Sequence, residues 1–278
     1  MNYRHAFHAG NFADVIKHVA LAGVLLHLRR KETPFCVIDT HAGAGLYDLG
    51  CTDAARTGEA GAGIARLSNA AGNEQLPEAL GTYLDCVRRE RENHYPGSSR
   101  IAARLLRSQD RLVAIEKHPR EAAALRTALS GFRNALAVEA DGYERLRVLL
   151  PPSERRGVIL IDPPFGEGDE FAHAADAVAR AHRRFATGIY LLWYPIKSRA
   201  AAEAFGGEVG ARGLAPLLRI EIDIGRAPDA GKHRLRAAGL LVVNPPYGFD
   251  GEMRDAAAIL APRLGRPGQP AMIAVTRP

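Results

Sequence analysis

The residues of this chain best suited to chemistry close an apolar run: Val158-Ile159-Leu160-Ile161 passes directly into Asp162-Pro163-Pro164-Phe165. Two consecutive prolines remove two N–H donors and fix φ, so the carbonyls of Asp162 and Pro163 point outward instead of joining a ladder. A carboxylate beside a carbonyl is an acceptor pair for an exocyclic amine such as adenine N6, which offers two donors. Accepting both hydrogens would orient the amine and favour its pyramidal, nucleophilic geometry. Phe165 would stack on the base, because chemistry on a base requires taking it out of its own stack. Standing alone, the tetrad could equally be a plain strand-exit turn.

Three further apolar runs end in polar signatures. One ends in Asp39, followed by His41-Ala42-Gly43-Ala44-Gly45; the next ends in Glu116; a third leads to Asp141-Gly142. Each has an ordinary explanation as a structural loop, a helix N-cap or a turn. Their ordered recurrence on four successive strands is what sets them apart, since open α/β sheets bind ligands at the carboxyl ends of their strands. Asn244-Pro245-Pro246-Tyr247 repeats the chemistry of the tetrad. The connection from Ile224 to Gly239 is too poor in helix for a parallel crossover, so that strand is expected to run antiparallel and to exit away from the ligand.

The elements that must position these groups follow from the apolar pattern. A first helix starts after Asn11, an N-cap with Asp14 in its first turn, and carries Val15, Val19, Ala22 and Leu26 on one stripe up to Arg29-Arg30. Residues 1–10 ahead of it are expected to form a structured lid or arm. Buried strands are predicted at 35–39, 112–116, 135–139, 158–162, 188–193, 218–224, 239–244 and 271–276, with helices at 120–129, 143–150, 170–184 and 199–212. This alternation implies α/β architecture: a mostly parallel twisted sheet with helices on both faces. In a nucleotide-binding unit the ribose-gripping acid follows the glycine turn by about 20 residues, and here the first such acid, Glu116, comes about 50 residues late. The excess is expected to be a helical insertion at 46–95, without a strong strand, inside a single domain spanning 1–278.

The net charge of +6 suits a polyanionic partner, although charge runs are commonly solvated faces. The three cysteines match neither a disulfide framework nor a zinc site, and the ten histidines lack a metal-binding spacing, so no metal is expected. The 47% hydrophobic composition includes no run near the roughly 20 apolar residues a membrane span requires, and a cytoplasmic, membrane-free monomer is expected.

Tyr3-Arg4-His5, Phe7-His8-Ala9-Gly10-Asn11, Asp39-Thr40-His41-Ala42-Gly43-Ala44-Gly45, Tyr95-Pro96-Gly97-Ser98 and Asp162-Pro163-Pro164-Phe165 together closely resemble the RlmJ family of bacterial 23S ribosomal RNA adenine-N6 methyltransferases. The resemblance covers essentially the whole chain. It implies a class I, Rossmann-like methyltransferase fold, S-adenosylmethionine as cofactor and 23S ribosomal RNA as partner. By the same resemblance His18, His41, Ser98, Glu116, Asp141 and Gly142 contact the cofactor, with Glu116 on the ribose hydroxyls and Asp141 near the adenine amine. It likewise implies Asp162 as the catalytic residue and Tyr3 as a substrate contact, which makes the arm at 1–10 substrate-contacting. Many family members carry tyrosine where this chain has Phe165. Three other readings use part of the same residues: a DNA adenine methyltransferase, a nicotinamide-dependent oxidoreductase, which leaves the double proline unexplained, and a non-catalytic RNA-binding assembly factor.

Overall fold

The computed structural model describes residues 8–50, 59–67, 75–165, 169–225, 235–266 and 268–277. Helix α1 (Phe12–Arg29) precedes β1 (Cys36–Asp39). A short antiparallel pair, β2 (Leu46–Asp48) and β3 (His94–Pro96), then brackets 3-10 turns at Ala60–Ala62 and Ile64–Arg66 and helix α2 (Glu78–Arg88). Helix α3 (Ser98–Leu105) leads to β4 (Arg111–Glu116). Alternation follows through α4 (Pro119–Leu129), β5 (Ala135–Glu139), α5 (Gly142–Leu149), β6 (Gly157–Ile161), α6 (Glu170–Arg184), β7 (Ile189–Pro195), α7 (Arg199–Ala211) and β8 (Leu217–Asp223). The described chain closes with β9 (Ala237–Val243), α8 (Phe249–Leu264) and β10 (Met272–Thr276).

Eight strands form one sheet in the order β10-β8-β9-β7-β6-β1-β4-β5. The five from β5 to β7 are parallel, whereas β9 is antiparallel to both its neighbours and β10 to β8. This is the doubly wound, Rossmann-like architecture expected from the alternation. Strands β1, β6 and β9 are buried along their whole lengths, which explains why they read as unbroken apolar runs. One core packs α1, α2, α3, α4 and α8 on one face of the sheet, and a second packs α5, α6 and α7 on the other.

Asn11 caps α1 as expected, its side chain accepting from the amides of Ala13 and Asp14. The one-sided apolar stripe does not describe this helix, however. Fifteen of its eighteen residues are buried, because α2, α3 and α8 close over it while the sheet lies beneath. The predicted 46–95 insertion therefore supplies cover for α1, and it opens and closes with the β2–β3 pair that periodicity missed, three residues per strand being too short for a period of two to register. The start of α1 is tied to it: Glu59 accepts from Asn11 Nδ2 at 3.0 Å and lies 2.9 Å from His8 Nδ1. No helix of the described residues is long and apolar enough to cross a membrane.

The antiparallel direction of β9 settles the competition between the two double-proline turns. Asn244 Nδ2 donates to the carbonyls of Ala186 and Gly188 at 2.8 Å, just ahead of β7. Its turn thus sits at the pole of the sheet opposite to Asp162.

Candidate active site

The exits of β5, β4, β1 and β6 are adjacent in the sheet, and they bring together Asp141, Gly142, Glu116, His41 and Asp162. At the exit of β4 the Glu116 carboxylate accepts from the amide of Gly43 at 2.9 Å and from that of His118 at 2.7 Å, one bond on each oxygen. Gly43 has φ +59, a left-handed conformation that glycine adopts without steric cost. The carboxylate is fixed by backbone on one side and partly exposed, with lone pairs left for a vicinal diol.

Asp141 caps α5, its Oδ1 accepting from Tyr143 N at 3.0 Å and Glu144 N at 3.2 Å, while Lys117 Nζ lies 3.0 Å from Oδ2. Burial pushes its carboxyl up, but Lys117 and the helix amides outweigh this and hold it below the ordinary carboxylate range. Next to it, a Cβ on Gly142 would fall 2.0 Å from the carbonyl oxygen of Thr40. Only glycine lets these two loops touch.

Burial pushes the His41 imidazole down to about 4, against the pull of Asp162 and Asp141, so the ring is neutral near pH 7. Its Nδ1 is 2.8 Å from Thr40 Oγ1, and that hydroxyl donates its hydrogen to the carbonyl of Leu160 at 3.0 Å. Nδ1 therefore carries the ring proton and Nε2 is left as an acceptor. Tyr143 packs edge-on against the ring, centroids 5.0 Å apart, and is itself tied to Glu170 by a 2.9 Å hydrogen bond.

At the exit of β1, Ser98 Oγ donates to Asp39 Oδ2 at 2.6 Å. Burial lifts the Asp39 carboxyl to about 6 despite Ser98 and Lys17. His18, buried in α1, has its Nδ1 2.7 Å from Tyr95 Oη and stacks on that ring.

Asp162 is 13% exposed at its side chain, and its Oδ2 lies 2.5 Å from Lys17 Nζ. Lys17 also pairs with Asp14 at 2.8 Å, and both of those side chains are only 4% exposed. Burial alone would lower the Lys17 ammonium; Asp14 and Asp162 together hold it well above its ordinary value. One Asp162 oxygen is thus occupied and the carboxylate is locked in orientation, with the other oxygen available. The pair Asp14 and Lys17 was missed in the sequence. The available signal was Lys17 set inside the apolar run from Val15 to Leu26, with Asp14 three residues before it, where an unpaired lysine is not tolerated.

Phe165 departs from its expected role. At φ +47 the chain doubles back and the ring is 5% exposed, packed against Phe171 at 4.8 Å and Trp193 at 5.7 Å. Burying its apolar area against two aromatic rings outweighs exposure, so in this conformation the ring braces the Asp162 loop and is not open to a base. Pro163 is buried and Pro164 exposed. Tyr3 and residues 1–7 of the arm lie outside the described residues.

These groups fit S-adenosylmethionine: a carboxylate at β6, a neutral imidazole acceptor at β1, a second carboxylate able to meet a ribose diol at β4 and a glycine-tight loop contact at β5, in the order of the strands across the sheet.

The family model described as "Ribosomal RNA large subunit methyltransferase D, RlmJ" matches residues 32–274. The chain is 39% identical over 268 residues to ribosomal RNA large subunit methyltransferase J of Escherichia coli K12, covering 95% of this chain and 94% of that protein. It is 36% identical to the protein of the same description from Haemophilus influenzae over 269 residues, with the same coverage. Among solved structures, the crystal structure of protein LPL1258 from Legionella pneumophila superposes with a TM-score of 0.87 at 32% identity, covering 97% of this chain and 98% of that one.

Proposed function

The chain belongs to the RlmJ family of ribosomal RNA large subunit methyltransferases, and on that premise we propose that it transfers the methyl group of S-adenosylmethionine to N6 of an adenine in 23S ribosomal RNA. The observation that carries this reading is the Asp162 carboxylate at the exit of β6, locked by Lys17 at 2.5 Å and beside the loops of β1, β4 and β5.

S-adenosylmethionine supplies, when bound, a methyl group activated by a positively charged sulfonium. Glu116 would hold the ribose hydroxyls, the Asp141-Gly142 turn the adenine edge, and His41, Ser98 and His18 the remaining part. The free oxygen of Asp162 and the carbonyl of Pro163 would accept the two N6 hydrogens of a flipped adenine. That pulls nitrogen electron density out of the ring and aims the lone pair. Lys17 holds the carboxylate stationary, so orientation is settled before the base arrives. The proton lost from N6 passes to the free Asp162 oxygen or to water once the nitrogen has been methylated and become strongly acidic. Phe165 supports this loop from beneath, and Tyr3 from the 1–10 arm contacts the substrate. The 46–95 insertion acts as part of a single domain, and the protein works as a cytoplasmic monomer.

The test is incubation of the purified protein with S-adenosylmethionine and protein-free 23S ribosomal RNA, followed by mass spectrometry of the nucleosides. N6-methyladenosine is the expected product. Methylation of a DNA of the same sequence but not of the RNA would replace the substrate assignment, and titration with a nicotinamide nucleotide instead of S-adenosylmethionine would replace the reaction.

A further inference from the structure

Outside the catalytic pocket the sheet edge carries a second concavity, a cleft of about 770 Å³ between the C-terminal end of α2, the helix α3 and the C-terminal end of α4. Four arginines line it, Arg89, Arg91, Arg100 and Arg104, against one carboxylate, Glu90. Glu90 is 4% exposed at its side chain and is gripped by both inner arginines: Arg100 Nε at 2.7 Å and Nη2 at 3.0 Å, Arg104 Nη2 at 2.6 Å and Nε at 2.9 Å. Arg100 also lies 5.6 Å over the ring of Phe132 and donates to the carbonyl of Ala128. The buried carboxylate thus fixes two guanidinium groups in place and neutralises only one of the four charges. Arg89 and Arg91 are exposed, and neither is paired with an acidic side chain among the described residues.

Rooted guanidinium forks beside exposed ones are a phosphate-reading surface, since the planar donor pair matches two phosphate oxygens. The rest of the wall mixes small and polar residues such as Ala124, Thr127, Ala128 and Gly131 with Leu46 and with Phe132, whose ring is covered by Arg100, so the exposed guanidinium groups are its distinguishing chemistry. Ala44 also lines the cleft, only three residues after His41, so its Cα lies within about 11 Å of that of His41. A strand leaving the catalytic pocket reaches the cleft within a few nucleotides.

We propose that this arginine cleft is a docking site for the phosphodiester backbone of the RNA substrate, engaging phosphates that flank the modified nucleotide. The proposal rests on the reading of the substrate as RNA. The experiment measures binding of full-length wild type, R89A/R91A and R89K/R91K to a protein-free 23S ribosomal RNA transcript across a salt series, with methylation of the same transcript followed in parallel. Each lost phosphate contact lowers the slope of log K against log salt by about 0.7–0.9, so the alanine variant should lose about 1.5 from the slope. Its Kd should rise about 30-fold near 0.1 M salt, with the gap closing toward about 1 M. KM for RNA rises in step, while kcat at saturating RNA and affinity for S-adenosylmethionine stay at wild-type values, and the lysine variant keeps most of the slope. An unchanged slope, or a fall in kcat without a change in Kd, overturns the proposal. If wild type itself neither binds nor methylates the transcript, the substrate reading has failed instead.

Discussion

Replacing Lys17 with methionine tests the site at its centre. The ammonium sits 2.8 Å from Asp14 and 2.5 Å from Asp162, nearly all of it buried, and it also lowers the carboxyl of Asp39, which burial has lifted to about 6. K17M leaves buried carboxylates without their cation. Removing one partner of a buried pair costs about 3–5 kcal/mol, which in a chain of this size is a fall of roughly 6–10 °C in Tm. The sign of the pH dependence separates charge from lost packing. Asp39 has a folded pKa above its unfolded one, so its contribution to stability is present below about 4 and is lost as pH rises through about 6. Without Lys17 that loss deepens. The gap between wild type and variant, read by urea unfolding, should be small near pH 4 and complete above about pH 7. Turnover should fall about 100-fold, the order expected when a catalytic group drifts by about 1 Å. A gap that stays constant with pH, or kcat within threefold of wild type, would refute the assignment of Lys17 as the group that locks Asp162.

Three further outcomes follow. D162A should reduce kcat at least 1,000-fold, on the order of the contribution of a positioned acid–base group, with S-adenosylmethionine affinity by calorimetry within about threefold. E116A should weaken S-adenosylmethionine about 10- to 100-fold, corresponding to about 1.5–3 kcal/mol for a charged hydrogen-bonding group, with kcat recovered at saturating cofactor. D39N removes a carboxyl whose ionisation in the fold is resisted up to about pH 6. It should therefore stabilise the protein by up to about 3 kcal/mol above pH 6 and by nothing below pH 4, measured by denaturant unfolding.

The parallel core and the polar exits of its strands were legible because both are local. Apolar runs such as 158–161 cannot be half-buried strands, and a double proline cannot continue a ladder. The antiparallel direction of β9 was legible too, from the shortness of the helix-poor connection before it. What escaped depends on contacts distant in sequence. Lys17 and Asp162 are 145 residues apart, and nothing local says that a lysine in an N-terminal helix closes on a strand exit. The burial of α1 on every side escaped for the same reason, since the residues that cover it come from Glu78–Arg88, Ser98–Leu105 and Phe249–Leu264. Phe165 was read as a stacking face because its type and position fit, and only a positive φ turns it inward.

Helix α1, buried at fifteen of its eighteen residues, also carries the cation that fixes the Asp162 carboxylate. On the proposed role of Asp162, repacking at Val15, Val19 or Leu21 should shift that carboxylate through Lys17, and turnover would then gauge interior order. A change in that helix selected for thermal robustness would then be a change in rate as well.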